Sequence, residues 1–297
     1  MRIKILFLGV LYALMTALPC VAAQLKGEIE AEDPFVFLPI SSWVGERFVF
    51  LPMNASVREF GYSSFKGGEG RYGRPEYDKY VGRIAKVVSV VDRRFGTWNV
   101  EFEIKDDGRR LTATAYGGSI HNIALVADAD NAGEKWLGKT LWYSGASIAT
   151  YDEDTEKFGG IKVKKYSPVK VVGITLGWYN SSPVKFVLQT ASGKIGFVDL
   201  NLSGTNVSEK LRGYNTFESY FAIQNPRTIY KWSDEVWAAI EEAEILIGMT
   251  SRQALMSWGK PRRINETTTS GGKSEQWVYT NDRYLYFKNG VLTTIQK

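Results

Sequence analysis

The chain has 297 residues, with 37 Lys and Arg against 32 Asp and Glu, one histidine and one cysteine. A formal net charge of +5 spread over that length argues against nucleic acid as a partner, since a phosphate backbone calls for dense basic patches. One cysteine excludes an intrachain disulfide framework and cysteine-rich metal sites, and one histidine excludes a three-histidine metal centre.

Taken in chain order, Arg2 and Lys4 precede a mostly apolar run from Ile5 to Leu18, and Val21-Ala22-Ala23 supplies the small residues a signal peptidase needs. Residues 1–23 therefore read as a signal peptide cleaved near Ala23. The run falls short of the roughly 20 residues that span a bilayer, and no later stretch approaches that length, so no transmembrane segment is expected. Cys20 leaves with the leader, because the rigid Pro19 directly before it suits lipid transfer poorly. The expected location is periplasmic or secreted, with residues 24–42 as an N-terminal segment.

An internal repeat follows. Trp43-Val44-Gly45-Glu46-Arg47-Phe48 returns 93 positions later as Trp136-Leu137-Gly138-Lys139-Thr140-Leu141. Lys86-Val87-Val88-Ser89-Val90 matches Lys170-Val171-Val172-Gly173-Ile174, and Val100 to Ile104 matches Val184 to Leu188, both at an offset of 84. Asp107-Gly108-Arg109 then pairs with Ser192-Gly193-Lys194. Val100, Phe102 and Ile104 alternate with charged neighbours, as do Val184, Phe186 and Leu188 with less regular ones, which is the pattern of half-buried strands. The expectation is a mainly β chain with two tandem small antiparallel barrels, residues 43–130 and 136–208. Val169 to Gly173 and Ser192 to Asp199 resemble the bacterial Src-homology-3-like barrels found in tandem in exported proteins. The drop in offset leaves nine extra residues in the first copy, placed between Phe60 and Tyr80.

Residues 209–232 read as a linker. Ser233 is an N-cap for a helix to about Glu242, with Asp234 and Glu235 at its positive end. Thr250-Ser251-Arg252-Gln253 is a capping box for a second helix that Gly259 and Pro261 stop. Strands follow around Arg263 to Thr269, Glu275 to Thr280, Arg283 to Lys288 and Val291 to Gln296, with Asn289-Gly290 as a hairpin turn. Two helices and then an antiparallel sheet predict a small α+β domain over 233–297. Ile247-Gly248-Met249-Thr250, Ser257 to Pro261, Glu275 to Tyr279 and Tyr284 to Val291 resemble the SmpA/OmlA (BamE-like) family. That resemblance implies a non-catalytic envelope domain that contacts other proteins, related in shape to the β-lactamase inhibitory protein.

Candidate chemistry is sparse. Gly117 to Asn122 reads as the turn and final strand of the first barrel, and no nucleophile elbow accompanies His121. Asp128 and Asp130 begin an Asp-x-Asp run, but Ala132 and Lys139 stand where a calcium loop needs ligands. Asp152, Glu153 and Asp154 read as a solvated loop. No metal and no cofactor are expected. Aromatic residues carry the stronger surface signal. Tyr62, Phe65, Tyr72, Tyr77 and Tyr80 are interleaved with glycines in the first copy, and Trp142, Tyr143, Trp178 and Tyr179 are candidates to line the equivalent groove of the second, the alternative being that several of these rings pack in the core or between domains. The expected function is a non-catalytic binding or adaptor module for an envelope protein or for cell-wall glycan or peptide. The alternatives are a carboxylate-dependent cell-wall glycan hydrolase and an inhibitor-like protein that binds an enzyme.

Overall fold

A computed structural model describes residues 34–152 and 154–297; the expected signal peptide and most of the expected N-terminal segment lie outside the described residues, as does Glu153. Between Phe35 and Lys297 the chain is mainly β, folded into three antiparallel sheets that follow one another in sequence. The first sheet holds β1 (Arg47–Phe50), β2 (Phe65–Lys66), β3 (Ile84–Asp92), β4 (Thr97–Ile104), β5 (Arg110–Tyr116) and β6 (Ile123–Leu125), in the order β2-β5-β4-β3-β1-β6. The second holds β7 (Thr140–Tyr143), β8 (Ser147–Asp152), β9 (Lys157–Lys162), β10 (Ser167–Tyr179), β11 (Ser182–Thr190), β12 (Ile195–Leu200) and β13 (Phe221–Ala222), in the order β13-β7-β10-β11-β12-β8-β9. Read from the opposite end, the second order repeats the first strand for strand and adds β9.

The repeated tryptophan motif has a physical purpose. Trp43 and Trp136 are buried, and the glycine two residues on turns the chain at φ +94 in Gly45 and φ +78 in Gly138. Each glycine N–H then donates to the equivalent strand carbonyl, Gly45 to Val87 and Gly138 to Val171, at 2.9 and 2.8 Å. The next residue answers in the reverse direction, with Val87 donating to Glu46 and Val171 to Lys139, both at 2.9 Å. β3 and β10 also break register at the same step, between Val87 and Ser89 and between Val171 and Gly173.

One offset needs correction. Val87 faces Phe102 while Val171 faces Leu188, so Leu188 and not Phe186 is the counterpart of Phe102. The second copy thus carries two more residues in its central hairpin. The difference preserves which side chains face inward, since it is an even number.

Helix α1 (Val126–Trp136) spans the gap assumed between the copies and packs on both β1 and β10. Ala127, Ala129 and Ala132 favour a helix there, and Val126, Ala132 and Trp136 are buried on it. Asp128, at the head of the Asp-x-Asp run, is on this helix and only 2% exposed. The stretch expected as a linker is no spacer up to Ala222, because it supplies β13 together with Phe217 and Phe221 of the second core. Trp136 stacks on Phe217 at 4.5 Å, so second-copy packing extends beyond residue 208.

The third sheet runs β14 (Arg263–Thr269), β15 (Gly272–Val278), β16 (Tyr284–Lys288) and β17 (Val291–Gln296) in sequence order. Ahead of it come α2 (Asp234–Glu241), capped by Ser233 Oγ accepting from Val236 N, and α3 (Ser251–Trp258), capped by the reciprocal Thr250–Gln253 box. Trp237 and Ile240 of α2 and Ala254 of α3 share a core with Trp277, Leu285, Phe287 and Leu292 of the sheet. Lys165, between β9 and β10, reaches into this unit, with Nζ donating to Ser257 O at 2.5 Å and its backbone N donating to Glu241 O at 3.0 Å. Among the described residues no helix is long and apolar enough to cross a membrane.

Candidate functional site

The loop between β1 and β3 explains why several expected surface rings are core residues. Gly61 has φ +60, and a Cβ there would lie 2.3 Å from Pro75 O, so only glycine lets the two segments meet. Tyr62 N then donates to Pro75 O at 2.9 Å, and the ring turns inward, its hydroxyl donating to Leu51 O at 2.9 Å. Phe50 is surrounded by Tyr62, Phe65 and Tyr80 at centroid distances of 4.7, 5.0 and 5.5 Å. Tyr62 and Phe65 are 0% and 1% exposed, which removes both as ligand contacts. Burial also pushes the Tyr62 hydroxyl far above the usual phenol range.

Tyr77 and Tyr72 remain at the surface. Tyr77 is half-buried, stacked on Tyr62, with the Arg58 guanidinium 4.8 Å above its ring. Tyr72 is 70% exposed between the guanidinium groups of Arg71 and Arg74, at 4.9 and 5.4 Å. In the second copy, Tyr143 is a core residue at 3% exposure, because β7 is flanked by β10 and β13. Trp142 is half-buried on the same strand, opposite Pro168 and Ala222, and does not share a groove with Trp178. Burial of Tyr143 raises its hydroxyl to about 12.

Trp178 and Tyr179, by contrast, face the first copy. A cleft of about 630 Å³ lies where Met53, Asn54, Ala55, Ser56 and Arg58 of the first unit meet Tyr151, Glu156, Phe158 and Trp178 of the second. Its aromatic wall forms because Tyr151 on β8 and Phe158 on β9 are directly opposed in the hairpin. Their rings lie 5.1 Å apart, and Trp178 sits 4.6 and 5.2 Å from them, edge-on to both. Phe158 is 61% exposed. Tyr179 hydroxyl accepts from Asn54 Nδ2 at 3.3 Å across the junction. Arg58 also lines a second depression of about 410 Å³ with Arg71, Arg74 and Tyr77, so this one residue borders both.

Behind Trp178 stands a cation. Lys185 Nζ lies 4.5 Å from the Trp178 ring centre and 3.8 Å from that of Phe197, and it pairs with Asp199 at 3.8 Å. Desolvation lowers the lysine and raises the aspartate, and the charge of each draws the other part of the way back toward its usual value. This pair fixes the tryptophan orientation from beneath.

Two of the remaining sequence candidates, Asp152 and His121, sit at turns. Asp152 Oδ1 accepts from Asp154 N and Thr155 N at 3.0 and 3.1 Å and so closes the β8–β9 turn. The Thr155 backbone N–H, with the threonine side chain, holds the Asp152 carboxyl below its usual range. His121 is exposed in a turn just ahead of β6, where a strand residue was expected. Among the described residues no group of three or more His, Cys, Asp and Glu side chains converges as a metal site requires. Sequence reasoning found Trp178 and Tyr179 but missed Tyr151, Phe158, Asn54 and Arg58. The first two carried a signal, as paired rings at either side of the Asp152 to Lys157 turn. The other two carried none, because only the packing of one copy on the other brings them to the rings.

No protein-family model, curated protein or solved structure matches the chain.

Proposed function

We propose that this chain is an exported, non-catalytic binding module of the bacterial cell envelope, and that its inter-copy cleft takes cell-wall glycan or the peptide attached to it. The observation that carries this reading is the grouping of Tyr151, Phe158 and Trp178 in mutual contact, facing Asn54, Ser56 and Arg58 across about 630 Å³. Exposed ring faces suit the apolar side of a sugar or an aliphatic peptide side chain, and the amide, hydroxyl and guanidinium supply directional hydrogen bonds. A cleft built from two copies also makes the duplication functional, since neither copy holds both walls.

The same reading takes the two repeats as tandem Src-homology-3-like barrels, supported by their matched strand order and the shared glycine-to-valine hydrogen bonds. It takes the last unit as a BamE-like domain that contacts another envelope protein. Support comes from β14, whose seven residues are all exposed and whose outer edge pairs with no strand of its sheet.

Sedimentation with purified sacculi tests the proposal. The protein is expected to pellet with sacculi without releasing soluble fragments, and the double variant W178A/F158A is expected to lose at least tenfold in affinity. Unchanged pelleting of that variant would remove the cleft from the account. Release of soluble fragments that stops with Glu156→Gln would replace the binding module with a hydrolase.

A further inference from the structure

A second cleft, of about 470 Å³, lies on the outer face of the first sheet, and the inter-copy site makes no use of it. The strand pattern builds its floor. Along β5, Leu111, Ala113 and Ala115 are buried, so Thr112, Thr114 and Tyr116 face outward. On β2 the buried Phe65 pairs with Ala113, which sets Lys66 beside Thr112. On β4, Asn99 stands opposite Thr114. With its amide oxygen turned to Arg93, Asn99 accepts from that guanidinium at 3.1 and 3.2 Å and leaves its NH₂ beside Thr114.

The wall is equally well fixed. His121 follows a turn in which Gly117 and Gly118 have φ +59 and +79, and Asn122 after it has φ +61. The buried Asn206 side chain clamps the backbone on either side, accepting from Ile120 N at 2.6 Å and donating to Ile120 O and Ile123 O at 2.8 Å each. The imidazole therefore stands on a rigid support at the cleft, together with Ser63 and Ser64.

Most of the polar groups that line this cleft have no protein partner among the described residues. Arg47, Arg83, Arg109 and Arg110 of the same unit each hold a carboxylate. Lys66, His121, Ser63, Ser64, Thr112 and Tyr116, among the described residues, make no side-chain hydrogen bond or ion pair, although all line one cleft. The cleft has no acidic lining residue. Glu101, the cross-strand partner of Thr112, is drawn to Arg110 at 3.6 Å. Free hydroxyl donors around an ammonium and an imidazole match a tetrahedral oxyanion, and the volume lies within the 300 to about 1,000 Å³ of small-molecule sites.

We propose that this cleft binds a phosphomonoester of sugar size, with the phosphate between Lys66 and His121 and the sugar hydroxyls along Thr112, Thr114 and Asn99. The assignment is independent of the inter-copy cleft and of its ligand.

Titration calorimetry on the full chain tests it with three probes: glucose 6-phosphate, methyl glucoside and inorganic phosphate. Glucose 6-phosphate is expected to bind, tenfold or more weakly in Lys66→Met and in His121→Gln, and more weakly still as salt is raised. W178A/F158A is expected to bind it as the parent does. Methyl glucoside is expected not to bind, and inorganic phosphate to bind at least tenfold more weakly. Both variants alter exposed side chains, and unchanged thermal unfolding will verify that they fold. Absence of glucose 6-phosphate binding, or equal binding in both variants, would overturn the site. Equal affinity for inorganic phosphate would overturn the sugar half of the assignment, and loss of binding in W178A/F158A would overturn its independence.

Discussion

Asp128 is the residue at which burial and charge conflict most directly. It is 2% exposed on α1, with Ser203 Oγ donating at 2.8 Å and Ser203 N more distantly at 3.4 Å. Desolvation lifts its carboxyl from 3.8 to about 6, the Ser203 hydrogen bonds only partly offsetting it. Because the folded value lies above the unfolded one, the group's contribution to stability is complete below pH 3.8 and is lost as pH rises through 6. Asp128→Asn cannot ionise and keeps an acceptor for Ser203. Chemical denaturation is expected to find the variant more stable than the parent at pH 7.5 by about 2 to 3 kcal/mol, with the gap closing near pH 4. An equal gap at both values would contradict the burial argument.

At the scale of elements, the repeat was the most legible feature of the sequence, because its tryptophans and glycines do the same work twice. Alternation along β4 and β11 revealed their strands, and Ser233 and Thr250 marked the helix starts. What escaped was whatever depends on another element. The rings of Tyr62 and Phe65 looked exposed among glycines, yet those glycines let the loop fold over Phe50. Helix α1 escaped because its tryptophan belongs to the repeated motif that opens the second copy, and Arg58 because the rings opposite it belong to the other copy. The glycines separate into two kinds that substitution distinguishes. Gly45→Ala meets no atom within 4 Å and carries only the cost of φ +94, about 1 kcal/mol. Gly61→Ala adds a clash with Pro75 O at 2.3 Å, so a further loss of about 2 to 3 kcal/mol is expected, with new proteolytic cleavage between Arg58 and Arg74. Equal losses in denaturant midpoint would contradict the distinction.

At the scale of the molecule, the three sheets are joined by polar ties as well as apolar packing. Asn206 fastens the end of the second copy to the His121 turn, Leu38 N donates to Thr205 Oγ1 at 3.0 Å, and Lys165 reaches Ser257 O near the C-terminal end of α3 and Glu241 O at that of α2. Val49, Leu51, Ala124 and Val126 form a small apolar cluster on which Leu176 of β10 packs, and so the two copies meet in a fixed orientation. That orientation creates the cleft, and the cleft carries the functional reading. The direct test is an NMR titration of the full chain with a soluble cell-wall muropeptide, following the indole N–H resonances. The account predicts that the Trp178 resonance moves in a saturable way, with the backbone amides of Asn54, Ser56 and Phe158, while the Trp277 resonance in the third sheet stays still. Saturable movement confined to the third sheet, or no movement of Trp178 at all, would contradict it.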